Sequence, residues 1–410
     1  MPEALALLRS AATIRERCAN ITRAVDAGDS ANFTLARDAL DAVVARVEAV
    51  TRARHPSLDV PYHSRWRHFE AGGVNRKARL DALLAGRTMA AQARSRIDLT
   101  VVSVLLDAGA GAKWRYVEMP GGASHARSEG LGVASFQAFV AGCFSSDPGD
   151  PYRVDAAALK RLDAAQLAAV FQASEANPLP GLQGRTTLLR RLGEVLQAQP
   201  LVFGGDGRPG GLFDNLTQHG RNHRVSASRM LGFLLDHFSA IWPARNLLPE
   251  AGRGEPLGDC WRHRLAGGSG ASAGWVPFHK LSQWLCYSLL EPLAWAGVTL
   301  TELDALTGLP EYRNGGLLLD GGVIVPRDPG FAQQRYSVGD EFIVEWRALT
   351  VSLLDEVASR LRSRLGRSSQ DLPLARVLEG GTWAAGREIA RELRAEGSPP
   401  LQIDSDGTVF

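Results

Sequence analysis

Apolar residues in this chain recur three and four apart, in many separate stretches. That spacing lays one stripe along a 3.6-residue helix and nothing coherent along a strand. Leu159, Leu162, Leu167, Val170 and Phe171 follow it, behind Asp155 as an N-cap. So do Leu188, Leu189, Leu192, Val195 and Leu196, then Met230, Leu231, Leu234, Leu235 and Phe238, then Leu353, Leu354, Val357 and Leu361. The first fifty residues read as two helices, and Arg387 to Glu396 as a late one. With 45% hydrophobic residues the helices have enough apolar surface to bury. The predicted class is mainly α, a multi-helix globular protein. Strand signals are few. Leu317 to Val325 is apolar, broken by Gly321–Gly322, and predicts a small β hairpin; Leu401 to Phe410 predicts a terminal strand. Glycine pairs such as 315–316 and 380–381 read as turns. Two domains are expected, an N-terminal helical lobe over 1–95 and a helical core with the pocket over 96–410. Gly252 to Gly274, rich in Gly and Ser, reads as a mobile flap or a linker.

The charge balance, 46 basic against 44 acidic side chains, lacks the basic surplus that binding to phosphate backbones requires, so a nucleic-acid partner is not expected. The most apolar stretch, Trp284 to Leu300, is too short for a bilayer and holds Glu291 and Pro292, so no membrane role is expected. The N-terminal segment interleaves acidic and basic residues and does not read as a signal peptide. Four cysteines, Cys18, Cys143, Cys260 and Cys286, lie far apart without a C-x-x-C, which suits reduced thiols and a cytoplasmic location.

Several motifs concentrate chemistry. Gly181-Leu-Gln-Gly-Arg185 lacks the order and the lysine of a phosphate loop, and reads as a helix start near Arg185. His219 and His223 are four apart, but Gly220 and Asn222 favour a loop, and no metal or other cofactor is expected. Ser64-Arg-Trp-Arg-His-Phe-Glu70 offers Arg65 and Arg67 as a phosphate fork with Trp66 as a stacking ring, or else a buried interhelical corner. Asp107 ends an apolar run and precedes small residues and Trp114, a plausible pocket wall. Arg127-Ser-Glu-Gly opens a small-residue helix with Ser128 as candidate cap and Glu129 in the first turn. In Trp275-Val-Pro-Phe-His-Lys, His279 is the simplest general acid or base near neutral pH, or a hydrogen-bonded packing residue. Glu341 and Glu345 share one helix face, with Trp346 and Arg347 following.

SRWRHFEAGG, SVLLDAGAGAKWRYVE, RSEGLGVASFQAF, FHKLSQWLCYSL and EYRNGGLLLDGGVI, in this order, resemble the uracil catabolism protein four family of bacteria and fungi, from about Ser64 to Asp355. The resemblance implies a place in a pathway that joins uracil to ribose phosphate, opens the ring and releases urea. More loosely, the order Asp107…Trp114, RSEGLGVAS, Arg221…Arg229, PFHKLSQW and EFIVEWRALTVSLLDEV is similar to queuosine-salvage N-glycosylases. That likeness implies a DNA-glycosylase-like helical core and hydrolysis of an N-glycosidic bond in a small ribotide such as ribosylurea phosphate. The glycosylases carry a working Asp where this chain has Phe278, His279 and Lys280.

Breaking an N-glycosidic bond develops positive charge on the sugar and negative charge on the leaving nitrogen. Asp107, Glu129 and Glu345 are the candidate carboxylates, with His279 or Lys280 as acid to the leaving group. Arg127, Arg221, Arg229 and Arg347 are available to a phosphate, Trp114 and Trp346 as lids, and Asp320 lies in a family-like motif. The expected partner is a ribotide or urea-ribose substrate, together with other uracil-catabolism enzymes. The alternative is a non-catalytic ligand-binding or scaffold subunit of the same pathway.

Overall fold

The computed structural model describes residues 3–218, 223–242, 246–248 and 254–404. The described chain is mainly α-helical, and its strands form only two-stranded pairs. It divides into two compact units, each assembled from separated stretches. The first comprises Met1–His63, Ala244–Gln283 and Glu302–Ser405; the second comprises Ser64–Pro243, Trp284–Thr301 and Asp406–Phe410. The boundary expected at residue 95 falls inside the helix Met89–Leu105 of the second unit.

The first unit is built on the 25-residue helix Glu341–Leu365, which Gly366 ends in the left-handed conformation at φ 60°. Its side chains from Ile343 to Val351 are all buried, so it behaves as a core helix packed on every side. Helices Ala11–Asp26, Leu40–Arg54 and Tyr312–Asp320 pack against it. Burying a single Leu or Val side chain in such a core is worth roughly 1.5–3 kcal/mol.

The hairpin expected over 317–325 is not there. Leu317 to Asp320 end the helix Tyr312–Asp320, and Ile324–Pro326 pairs antiparallel with Phe33–Leu35. The glycine pair 315–316 lies inside that helix because Trp346 lies against it. A Cβ at Gly315 would stand 2.2 Å from Trp346 Cζ2, and Trp346 Nε1 donates to the Gly315 carbonyl at 3.2 Å. The pair 380–381 likewise belongs to a π-helical turn, Leu378–Thr382, rather than to a loop. The expected terminal strand exists as Gln402–Asp404, parallel to Arg335–Ser337; residues 405–410 lie outside the described residues. Nor is the described part of 252–274 a free flap. Cys260–Arg262 pairs with Trp275–Pro277, and Asp259 and His263 are buried.

The second unit is centred on Met89–Leu105, whose residues from Ser95 to Leu105 are all buried. Around it lie Arg65–His68, Arg127–Val140, Leu182–Gln197 and Gly211–Gln218. Asp155 caps a helix as expected, accepting from Ala158 N at 2.9 Å, but the helix stops at Arg161. Asp163 restarts it with a full capping box to Gln166, giving Ala164–Val170. Leu182–Gln197 starts three residues ahead of the expected Arg185, and the late helix is Trp383–Leu393 rather than 387–396.

Candidate active site

The site is assembled around one guanidinium. Ser64 caps the short helix Arg65–His68 through its Oγ, and Arg65 is fully buried. Burial pushes the Arg65 pKa down, against the opposing charge of Asp107 and, further off, of Glu129. Its donors are arranged in a fork. Nε donates to Ser103 Oγ at 2.7 Å, Nη1 donates to the Ser128 carbonyl at 3.1 Å and to His68 Nδ1 at 2.7 Å, and Nη1 stands 2.9 Å from Asp107 Oδ2. Accepting at Nδ1 leaves the His68 proton on Nε2. Ser103 in turn shares a 2.6 Å hydrogen bond with Ser135 on the helix Arg127–Val140.

Asp107 is placed by a second buried arginine. Arg185 donates to the carbonyls of Leu106, Ala108 and Gly109 at 3.2, 2.9 and 3.1 Å, and to that of Pro180. It clasps the turn on both sides of Asp107, and burial lowers its own pKa to about 10. Glu129 sits in the first turn of Arg127–Val140, where the helix dipole favours a negative charge. The expected cap is elsewhere: Ala126 stands at the N-cap position, and Ser128 is in the first turn, its carbonyl held by Arg65. Arg127, immediately before, is exposed and adopts φ 54°, a left-handed conformation that costs a non-glycine residue roughly 1–3 kcal/mol. Gly132 lets this helix approach Arg65–His68, since a Cβ there would stand 2.8 Å from His68 Cβ.

Two polar atoms of this cluster have no hydrogen-bond partner among the described residues, Asp107 Oδ1 and Arg65 Nη2. One is an acceptor and the other a donor, and they belong to the two members of one ion pair. A buried unsatisfied polar atom costs about 1–3 kcal/mol, so such a pair marks a place where a ligand's own polar groups are worth having.

The remaining candidates are distributed as follows. Trp114 is fully buried, donates Nε1 to the Phe171 carbonyl at 3.0 Å and stacks on Phe171, so it is core rather than lid. Trp346 is buried against Gly315 in the same way. Trp66 is also core, edge-on to Phe69 and Trp295, while Arg67 pairs with Glu291 at 2.6 Å and Glu70 at 2.7 Å. Arg229 is exposed on the helix Ala227–Phe238, and Arg221 and His219 lie outside the described residues.

His279, Lys280, Asp320, Glu345 and Arg347 belong to the first unit, where the side chains of His279, Asp320, Glu345 and Arg347 are engaged structurally. Arg347 holds Asp259 with two bonds of 2.8 and 2.7 Å. The Lys280 amide and Trp261 Nε1 also donate to Asp259. Burial would raise the Asp259 pKa, but Arg347 and these donors overcome it and bring it to about 2. His279 donates Nε2–H to the Leu8 carbonyl at 2.8 Å; burial lowers its pKa, so it is a neutral packing histidine, in a left-handed backbone at φ 48°. Glu345 is fully buried and accepts from Ser30, from Asn32 at 2.9 Å and from His263 at 3.2 Å. Burial would raise its pKa, and these hydrogen bonds hold it below the usual carboxylate range. Asp320 pairs with Arg394. Among the described residues no group of three or more His, Cys, Asp or Glu could hold a metal ion, and no helix is long and apolar enough to cross a membrane.

Sequence reasoning places Arg65 in a possible fork but misses Ser103, Ser135, His68 and Arg185. The short run Ser-Arg-Trp-Arg-His is the available signal for the corner. Nothing local marks a serine 38 positions on, or an arginine far beyond it, as a member of the same cluster.

A family model described as "Protein of unknown function (DUF1688)" matches residues 7–410. The chain is similar to uracil catabolism protein 4 of Lachancea kluyveri, 39% identical over 383 residues, covering 86% of this chain and 85% of the relative. It is similar too to protein urg3 of Schizosaccharomyces pombe, 39% identical over 376 residues, covering 90% and 89%.

Proposed function

The chain belongs to the DUF1688 family, and from that membership and the name of one relative we propose that it acts in uracil catabolism. The reaction we assign is hydrolysis of the N-glycosidic bond of a small ribotide such as ribosylurea phosphate. One observation supports the assignment above others: the Asp107–Arg65 pair presents a buried carboxylate oxygen and a buried guanidinium nitrogen without protein partners among the described residues.

In this reading Asp107 Oδ1 stands beside the anomeric carbon. Its negative charge favours the sugar cation as the bond breaks, and it takes the proton of the attacking water. Arg65 Nη2 donates to the oxygen of the departing urea group. The proton that Asp107 takes from water passes to the leaving nitrogen, so urea departs neutral. Glu129, ionised at its helix N-terminus, adds negative charge beside the sugar cation, and the exposed Arg127 next to it is a contact for the 5′-phosphate. His279 and Glu345 take no part, because each is committed to neighbours in its own unit.

The test is urea release from ribosylurea phosphate by the purified protein. Loss of a general base costs about 10²–10⁴ in rate, so Asp107→Asn should fall by at least the lower figure. Equal urea release by wild type and Asp107→Asn defeats the assignment. Tight binding of the ribotide with no urea at all would instead make the protein a non-catalytic carrier of that intermediate.

A further inference from the structure

Six arginines of the described chain are buried, and five have compensation. Arg65 has Asp107, Arg76 has Glu118, Arg96 has Asp81, Arg347 has Asp259 and Arg185 has four carbonyl oxygens. Arg17, on the helix Ala11–Asp26, is 3% exposed and has none of these. Its Nη2 reaches Ser272 Oγ at 3.4 Å, while Nε and Nη1 have no hydrogen-bond partner among the described residues. An unpaired guanidinium in such a place is expensive, and paired burial is the rule.

What lies over Arg17 is the loop 266–274, sequence AGGSGASAG. Helix Ala11–Asp26 grips it twice on one face. Asn20, one turn beyond Arg17, donates to the Ala266 carbonyl at 2.8 Å, and Arg17 itself contacts Ser272. Gly267, Gly268, Gly270 and Gly274 all have positive φ. At Gly268 the backbone rests on the guanidinium so closely that a Cβ would fall 1.7 Å from Arg17 Nη1. The amides of Gly268 and Ser269 donate no backbone hydrogen bond among the described residues. The guanidinium fork, the glycine-loop amides and the Ser269 hydroxyl are all donors, while the Ser272 hydroxyl already donates to the Ser269 carbonyl at 2.9 Å; two of the fork's nitrogens have no acceptor among the described residues.

We infer that Arg17 and the loop Gly267–Ser272 form a binding site for a phosphate group. Left-handed glycines turn successive amides toward one point, and a guanidinium meets a phosphate with two parallel hydrogen bonds. The site uses no residue assigned to the glycosidic chemistry, so the two readings stand or fall separately.

The test is thermal unfolding of the full chain in inorganic phosphate against chloride at matched ionic strength. Wild type is expected to gain melting temperature in a saturable way. Arg17→Met, of similar volume without charge, is expected to melt at the same or a higher temperature in chloride and to lose the phosphate gain. Arg17→Lys keeps the charge without the fork, and should need roughly tenfold more phosphate, the loss of about one charge-assisted hydrogen bond. No phosphate response in wild type overturns the inference, as does one that persists in Arg17→Met or an equal response to acetate. A lower melting temperature of Arg17→Met in chloride also counts against it, by making the guanidinium a structural group. Should Arg17→Met fail to fold, equilibrium dialysis of labelled phosphate decides on Arg17→Lys, and affinity equal to wild type overturns the site.

Discussion

Replacing Asp259 by Asn should be among the most damaging single changes in the first unit. The carboxylate is 5% exposed and faces an Arg347 with no exposure at all. The substituted amide would have nearly the same shape but would leave that guanidinium buried without its counter-charge. Breaking a buried pair from one side costs about 3–5 kcal/mol. For a unit of about 200 residues, each kcal/mol lowers the melting temperature by roughly 2–4 °C, so a fall of roughly 6–20 °C is expected. The pH dependence gives an independent check. The Asp259 pKa is depressed from 3.8 to about 2 in the folded protein. A depressed pKa means the unfolded chain binds the proton more readily, so the stabilisation is complete above about pH 4 and is lost as the pH falls toward 2. At ~1.4 kcal/mol per pKa unit this part amounts to about 2 kcal/mol. Melting curves of wild type and Asp259→Asn between pH 7 and pH 3 should therefore converge on the acid side. A loss under about 1 kcal/mol at pH 7, or a gap that does not narrow with acid, would refute the account of this pair as a charge-compensated pillar.

Gly132→Ala should destabilise the second unit by about 1–3 kcal/mol, because the new methyl meets His68 Cβ across two packed helices; urea titration measures it. Trp114→Phe should cost about 1 kcal/mol through the lost bond to Phe171 and leave the KM for a ribotide unchanged, whereas a lid would raise KM. His279 is held neutral by burial, with its pKa lowered, so its contribution is present above its unfolded value near 6.5 and is lost as the pH falls below it. His279→Gln should flatten the loss of melting temperature between pH 6.5 and 5. An unchanged slope in the variant would show that other groups govern that limb.

Helices with strong apolar stripes are readable because their burial is decided locally, as in 182–197 and 227–238. The failures have physical causes. Leu317 to Val325 looks like a hairpin because Gly321–Gly322 separates two apolar runs, yet that pair ends the helix Tyr312–Asp320, and Ile324–Pro326 finds its partner in Phe33–Leu35, far back in the chain. The helix from Asp155 breaks in two because Asp163 and Gln166 form a second cap inside an uninterrupted apolar pattern. Of the residues proposed for the site, Asp107 and Glu129 stand out in the sequence by their place at the ends of buried elements. Trp114 and Trp346 mislead, since an aromatic beside charge in sequence is indistinguishable from a core ring. Arg185 and Ser103 give no signal, because what they hold is defined only when distant stretches meet.

The division of the chain has a consequence for how it is made. The stretch 1–63 belongs with 302–405, and between them the ribosome must add 64–301. At about 5–20 residues per second the leading segment waits roughly 10–50 s for its counterpart, its apolar helical faces meanwhile uncovered. The stretch 64–243 can collapse during that interval, while 1–63 gains the segment 244–283 on the way and is covered only once 302–405 has been added. Early stop codons within 302–405 should therefore produce chains in which 1–63 lacks its main partner, a ready substrate for quality-control proteases.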